Sequence, residues 1–76
     1  MMTNIFRDYR CVRGYSQVQL AEMLEVDQTT VSKWEHDVSY PHVSQLLALQ
    51  RVLRISNNDL IAGLRTIEKR KGQKNG

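Results

Sequence analysis

The sequence has a single cysteine, Cys11, in 76 residues. No internal disulfide can form, and a lone thiol fits a reducing cytoplasm. The same inventory excludes a four-ligand zinc site of the usual Cys/His kind. His36 and His42 fall on different elements, with no carboxylate set to complete a metal site. One proline and four glycines are too few for a turn-rich β-sandwich. Apolar runs all fall far short of the ~20 residues that span a bilayer, and the N-terminus has no signal-peptide core. There is no glycine-rich phosphate loop, no nucleophile elbow and no paired-carboxylate motif. A chain this short also cannot enclose an ordinary substrate pocket. The expectation is a non-enzyme with no cofactor, no metal, no small-molecule substrate and no membrane partner.

What remains is a single domain near the lower size limit for an unstapled core. Its apolar content of 41% is too high for a disordered chain. The net charge of +3 is unevenly spread. Residues 65–76 carry five basic side chains against Glu68, or +4, which leaves −1 for residues 1–64. The globular part is therefore close to neutral, and the basic end is expected to tune only affinity and salt dependence for an anionic partner.

Helical periodicity runs along the chain, and no stretch alternates long enough for a strand. Five helices are expected. The first covers about Ile5 to Arg13, capped by Thr3 or Asn4, with Ile5, Phe6, Tyr9 and Val12 as its apolar stripe. Gly14 stops it. The second opens on a capping box, Ser16 with Gln19, and presents Val18, Leu20, Ala21 and Leu24 as far as Glu25. Asp27 is expected to cap the third, about Gln28 to His36, with Val31 and Trp34 inward. Gln28, Thr29, Ser32 and Lys33 form its polar face. Pro41 suits the first turn of a fourth helix ending near Leu53, with Leu46, Leu49 and Leu53 buried. Ser56 and Asp59 open a fifth, with Leu60, Leu64 and Ile67 in line. From Glu68 the apolar pattern stops and the chain reads as a solvated, frayed end. The expected division is a domain over 1–67 and a basic flexible tail over 68–76.

Two short helices joined by a tight turn, Gln17 to His36, make the distinctive unit. Ala21 permits a close helix crossing, and Val26 plugs the gap beneath it. Together with Arg10, Tyr15-Ser16-Gln17, Ser32-Lys33-Trp34-Glu35, Pro41 and Leu53 through Leu60, this pattern resembles the helix-turn-helix of the phage repressor and Cro family, also called the xenobiotic-response-element family. The resemblance covers residues 5 to about 64. It implies an all-α, five-helix, lambda-repressor-like fold and sequence-specific binding of double-stranded DNA in transcriptional regulation.

Carried over residue by residue, the resemblance makes the third helix the recognition helix. Gln28, Thr29, Ser32 and Lys33 would contact bases, with Gln28 pairing bidentately to adenine. Gln17, Ser39, Tyr40 and His42 would contact phosphates, and Gln17 would also brace Gln28. Arg10 and Glu35 would form a structural ion pair. Without the surrounding motif the four polar residues of the third helix would read as a plain solvated face.

The family also implies a repressor in the cytoplasm, acting as a homodimer on a two-fold-symmetric operator. Leu60, Leu64 and Ile67 form a stripe in excess of core needs and are the expected dimer interface. The alternatives are an antitoxin-type regulator that also binds a toxin, and a protein-interaction module without DNA. Three positions depart from the family's frequent glycine: Glu25, Asp37 and Arg54. Each would need a left-handed backbone, which asparagine and aspartate tolerate better than glutamate or arginine.

Overall fold

The computed structural model describes residues 3–73, with side chains through Lys71. It contains α1 (Ile5–Arg13), α2 (Gln17–Leu24), α3 (Gln28–Glu35), α4 (Val43–Leu53) and α5 (Asn57–Gln73), and no strand among the described residues. The fold is all-α, as the periodicity predicts.

Local chemistry accounts for most helix ends. Asn4 Oδ1 accepts from the Phe6 amide at 3.1 Å and starts α1. The capping box of α2 is complete: Ser16 Oγ accepts from Gln19 N at 3.0 Å, and Ser16 N donates to Gln19 Oε1 at 2.8 Å. Ser56 Oγ accepts from Asp59 N at 3.1 Å, but the Asp59 carboxylate does not return to Ser56. It accepts instead from the Tyr9 hydroxyl, which pushes the Tyr9 phenol above its ordinary pKa. Two expected starts differ. Asp27 occupies the cap position of α3 without a side-chain hydrogen bond. Pro41 lies outside α4, whose cap is His42, with the His42 amide donating to Gln45 Oε1 at 3.0 Å.

The left-handed positions fall where the missing glycines suggest. Besides Gly14 at φ 80°, positive φ occurs at Glu25 (56°), Asp37 (60°) and Arg54 (55°). In α1, α2 and α4 the following amide bonds back across the last turn: Tyr15 to Arg10 O, Val26 to Ala21 O and Ile55 to Gln50 O, at 3.0–3.1 Å. Those carbonyls would otherwise be orphaned, so the closure offsets the strain. Glu25→Gly and Arg54→Gly are each expected to leave the melting temperature unchanged or raise it. Relief of the ~1–2 kcal/mol left-handed penalty outweighs the ~0.5–1 kcal/mol entropic cost of glycine. A clear drop in both variants in a thermal melt would contradict this account of the turns.

The core gathers Phe6, Leu20, Ala21, Val31, Trp34, Leu49, Leu53, Ile55, Leu60 and Ile67, with Leu64 packed against it. This corrects the expected dimer stripe. Leu60 and Ile67 are 8% and 5% exposed within one chain, so the stripe is spent on the chain's own core. A 17-residue α5 needs those side chains to hold it down. Val12 and Val18, expected on apolar faces, instead point outward at 73% and 53% exposure.

The expected frayed end is corrected as well. Helix α5 continues from Glu68 to Gln73, and residues 74–76 beyond it lie outside the described residues. Its anchor there is polar, which is why apolar spacing does not reveal it. Arg70 Nη2 lies 2.9 Å from Asp37 Oδ2, and Arg70 Nη1 donates to Thr3 O at 3.2 Å. Asn4 Nδ2 in turn donates to Asp37 Oδ1 at 2.7 Å and to Trp34 O at 2.6 Å. The start of α1, the end of α3 and the end of α5 thus meet around Asp37. Higher in α5, Gly63 lets α1 come close: a Cβ there would stand 2.8 Å from Ile5 Cβ and Cγ2. Arg13 ties α1 to α4, donating to Leu53 O and Arg54 O at 2.7 and 2.9 Å, where a helix C-terminus favours a cation.

Candidate nucleic-acid interface

Helices α2 and α3 pack against each other, and Ala21 is buried together with Leu20 and Val31. With Val31, Trp34 and Glu35 turned inward, α3 presents its polar side outward. Gln28, Thr29 and Lys33 are exposed and Ser32 is half-buried. These four expected base-contact residues therefore share one accessible surface.

A continuous chain of side chains links that surface to the interior. Glu35 is fully buried. Its carboxylate accepts from Arg10 Nε at 2.6 Å and Arg10 Nη2 at 3.1 Å, a bidentate pair. It also accepts from Gln17 Nε2 at 3.0 Å. Gln17 Oε1 then accepts from Gln28 Nε2 at 2.7 Å. The charge at one end dictates the amide orientation at the other. A carboxylate cannot donate, so Gln17 must offer it the NH2, which turns the Gln17 carbonyl toward Gln28. Gln28 then keeps one N–H and its carbonyl oxygen free. That donor–acceptor pair is the one required to read N7 and N6 of adenine.

Arg10 also donates from Nη1 to Tyr15 O at 2.9 Å, which positions the turn into α2. Its guanidinium pKa is raised, chiefly by the hydrogen bond to Glu35 and against the opposing effect of burial. The charged form of Arg10 is favoured, so the stability that this shift contributes is present below the ordinary arginine range and is lost as pH rises through the raised value.

The loop after α3 holds the remaining expected contacts. Ser39 is half-buried, while Tyr40 and His42 are exposed. The Tyr40 hydroxyl donates to Asp37 O at 3.0 Å, so its proton is directed into the loop and not outward. His42 Nδ1 lies 3.0 Å from Ser44 Oγ. The grouping of Asn4, Asp37 and Arg70 had no signal in the sequence beyond Asp37's own turn position, because Arg70 lies 33 residues further along. Lys71, whose Nζ stands 5.1 Å from the centre of the Tyr40 ring, was likewise hidden in the basic end.

Among the described residues no group of three or more His, Cys, Asp or Glu could hold a metal ion. No helix is long and apolar enough to cross a membrane.

Comparison with known proteins agrees with this geometry. The family model for Helix-turn-helix matches residues 6–59, from Phe6 in α1 to the first turn of α5. The chain belongs to the helix-turn-helix family, in its Cro/C1 or xenobiotic-response-element type. The HTH-type transcriptional activator BcrR of Enterococcus faecalis is 33% identical to it over 54 residues, covering 71% of this chain and 26% of that protein. The chain spans about a quarter of the length of that relative. No solved structure matches significantly.

Proposed function

We propose that this domain binds double-stranded DNA sequence-specifically, with α3 in the major groove. Gln28, Thr29, Ser32 and Lys33 read base edges. Gln17, Ser39, His42 and the backbone around Tyr40 set the register on phosphates. The observation that carries this reading is the relay from Arg10 and Glu35 through Gln17 to Gln28. It leaves the Gln28 amide oriented for adenine before DNA arrives, which lowers the ordering cost of binding.

The same reading takes the protein to be a cytoplasmic repressor that acts as a homodimer on a two-fold-symmetric operator. One chain offers one recognition helix, and two would engage half-sites about one DNA turn apart, ~34 Å. With Leu60 and Ile67 spent in the core, exposed apolar residues elsewhere are available to a second copy. Val43 and Leu47 stand one turn apart on α4, and Ile61 lies on α5. Repression requires only that the operator be occupied. The activator named among the relatives has three quarters of its length outside the match, where further functions can reside.

Selection of bound sequences from a random duplex pool tests the reading. A two-fold-symmetric consensus is expected, with the bound species sedimenting as two copies per duplex. Absence of enrichment would overturn sequence-specific binding, and an asymmetric consensus bound by one copy would overturn the homodimer. Transcription from a promoter carrying the selected site should fall when protein is added; a rise would overturn repression.

A further inference from the structure

Residues 34–50, from the end of α3 through most of α4, contain no lysine or arginine. They do contain Glu35 and Asp37. A segment laid along a DNA backbone with two carboxylates, Glu35 at the end of α3 and Asp37 in the loop, and no cation would be repelled. The fold answers each carboxylate with an arginine from elsewhere. Arg10 of α1 meets Glu35, and Arg70 of α5 meets Asp37. Those pairs bring the loop only to neutrality. Of the loop's expected phosphate contacts, Tyr40 gives its hydroxyl proton to Asp37 O.

The next residue of α5 supplies what is missing. Lys71 is exposed, and its ammonium lies over the face of the Tyr40 ring at 5.1 Å. The attraction between cation and ring holds the charge on the loop without neutralising it. Arg70, one residue earlier, fixes the register of α5 that puts Lys71 there. From this we infer that Lys71 is a DNA phosphate contact, delivered to the loop after the recognition helix by the docked end of α5. Of the basic side chains at this end, Arg70 then has a positioning role and Lys71 the contact. The inference rests on the DNA-binding reading and adds a residue from outside the helix-turn-helix unit.

The test measures binding of the full chain and of Lys71→Ala to a selected duplex and to a random duplex, between 50 and 300 mM salt. Losing one phosphate contact should lower affinity about five- to tenfold at 100 mM salt and reduce the slope of log K against log salt by ~0.9. The loss should be equal on both duplexes, and Lys71→Arg should restore affinity and slope. A purely structural role for the Lys71–Tyr40 contact would lower the melting temperature and leave the slope unchanged, which would overturn the assignment. So would a loss confined to the selected duplex. Wild-type protein that binds neither duplex would overturn the DNA reading and this assignment together. Wild-type binding with Lys71→Ala unchanged would overturn this assignment alone.

Discussion

Glu35→Ala should remove ~3–5 kcal/mol of stability, the usual consequence of leaving one member of a buried ion pair without its partner. The whole stability expected of a 76-residue domain is only ~4–11 kcal/mol. The variant should therefore lose a large share of its stability and unfold at a clearly lower urea concentration. The cause is specific. Removing the carboxylate leaves Arg10 Nε and Nη2 and Gln17 Nε2 facing a cavity where all three now donate to Glu35. Urea denaturation of the purified chain checks it; a loss under 1 kcal/mol would contradict the energetic role given to the pair. The double variant Arg10→Met, Glu35→Leu sharpens the point. Replacing both charges with apolar groups is often neutral or stabilising, so the fold should recover. Base discrimination should not recover, because Gln17 has lost the acceptor that orients it.

Gln28→Ala is expected to act on recognition and not on folding. Gln28 is exposed, and its side chain donates a hydrogen bond to Gln17. Thermal melts should be nearly unchanged. Competition binding between the selected duplex and its single-base-pair variants should lose ~1–3 kcal/mol of discrimination at one position of each half-site, the scale of a good bidentate contact. Discrimination elsewhere should persist. An equal loss on every duplex would make Gln28 a phosphate contact, and preserved discrimination would remove it from the interface. Gln17→Ala should give a weaker loss at the same base pair, since it loosens Gln28 without deleting it.

The two variants also mark where sequence reading succeeds and where it stops. The α2–turn–α3 unit is legible because its determinants are local. The Ser16–Gln19 box, Ala21 at the crossing and Val26 after a left-handed residue act within a few positions of one another. The turns at Glu25 and Arg54 could be placed without glycine only through the family resemblance, and the helix-closing hydrogen bonds accompany the positive φ there. The surface of α3 follows from periodicity once Val31 and Trp34 face inward. The starts of α3 and α4 were less legible. Whether Asp27 makes its cap bond, or Pro41 lies inside or outside a helix, depends on small differences in approach angle.

By itself, then, the sequence determined the all-α class, the five helices, the helix-turn-helix and the polar outer side of α3, because short-range periodicity and capping govern each. Tertiary structure alone decided the far end of the chain. Apolar spacing ends at Ile67, yet α5 goes on because Asp37, itself held by Asn4, and the Thr3 carbonyl offer Arg70 partners from distant parts of the chain. It also decided that Leu60 and Ile67 serve the core and not a second copy, since only packing shows how much apolar surface a long helix must bury. Charge behaved likewise. The excess at the basic end could be counted in the sequence, but where it acts depends on a polar contact spanning 33 residues, which no local pattern encodes.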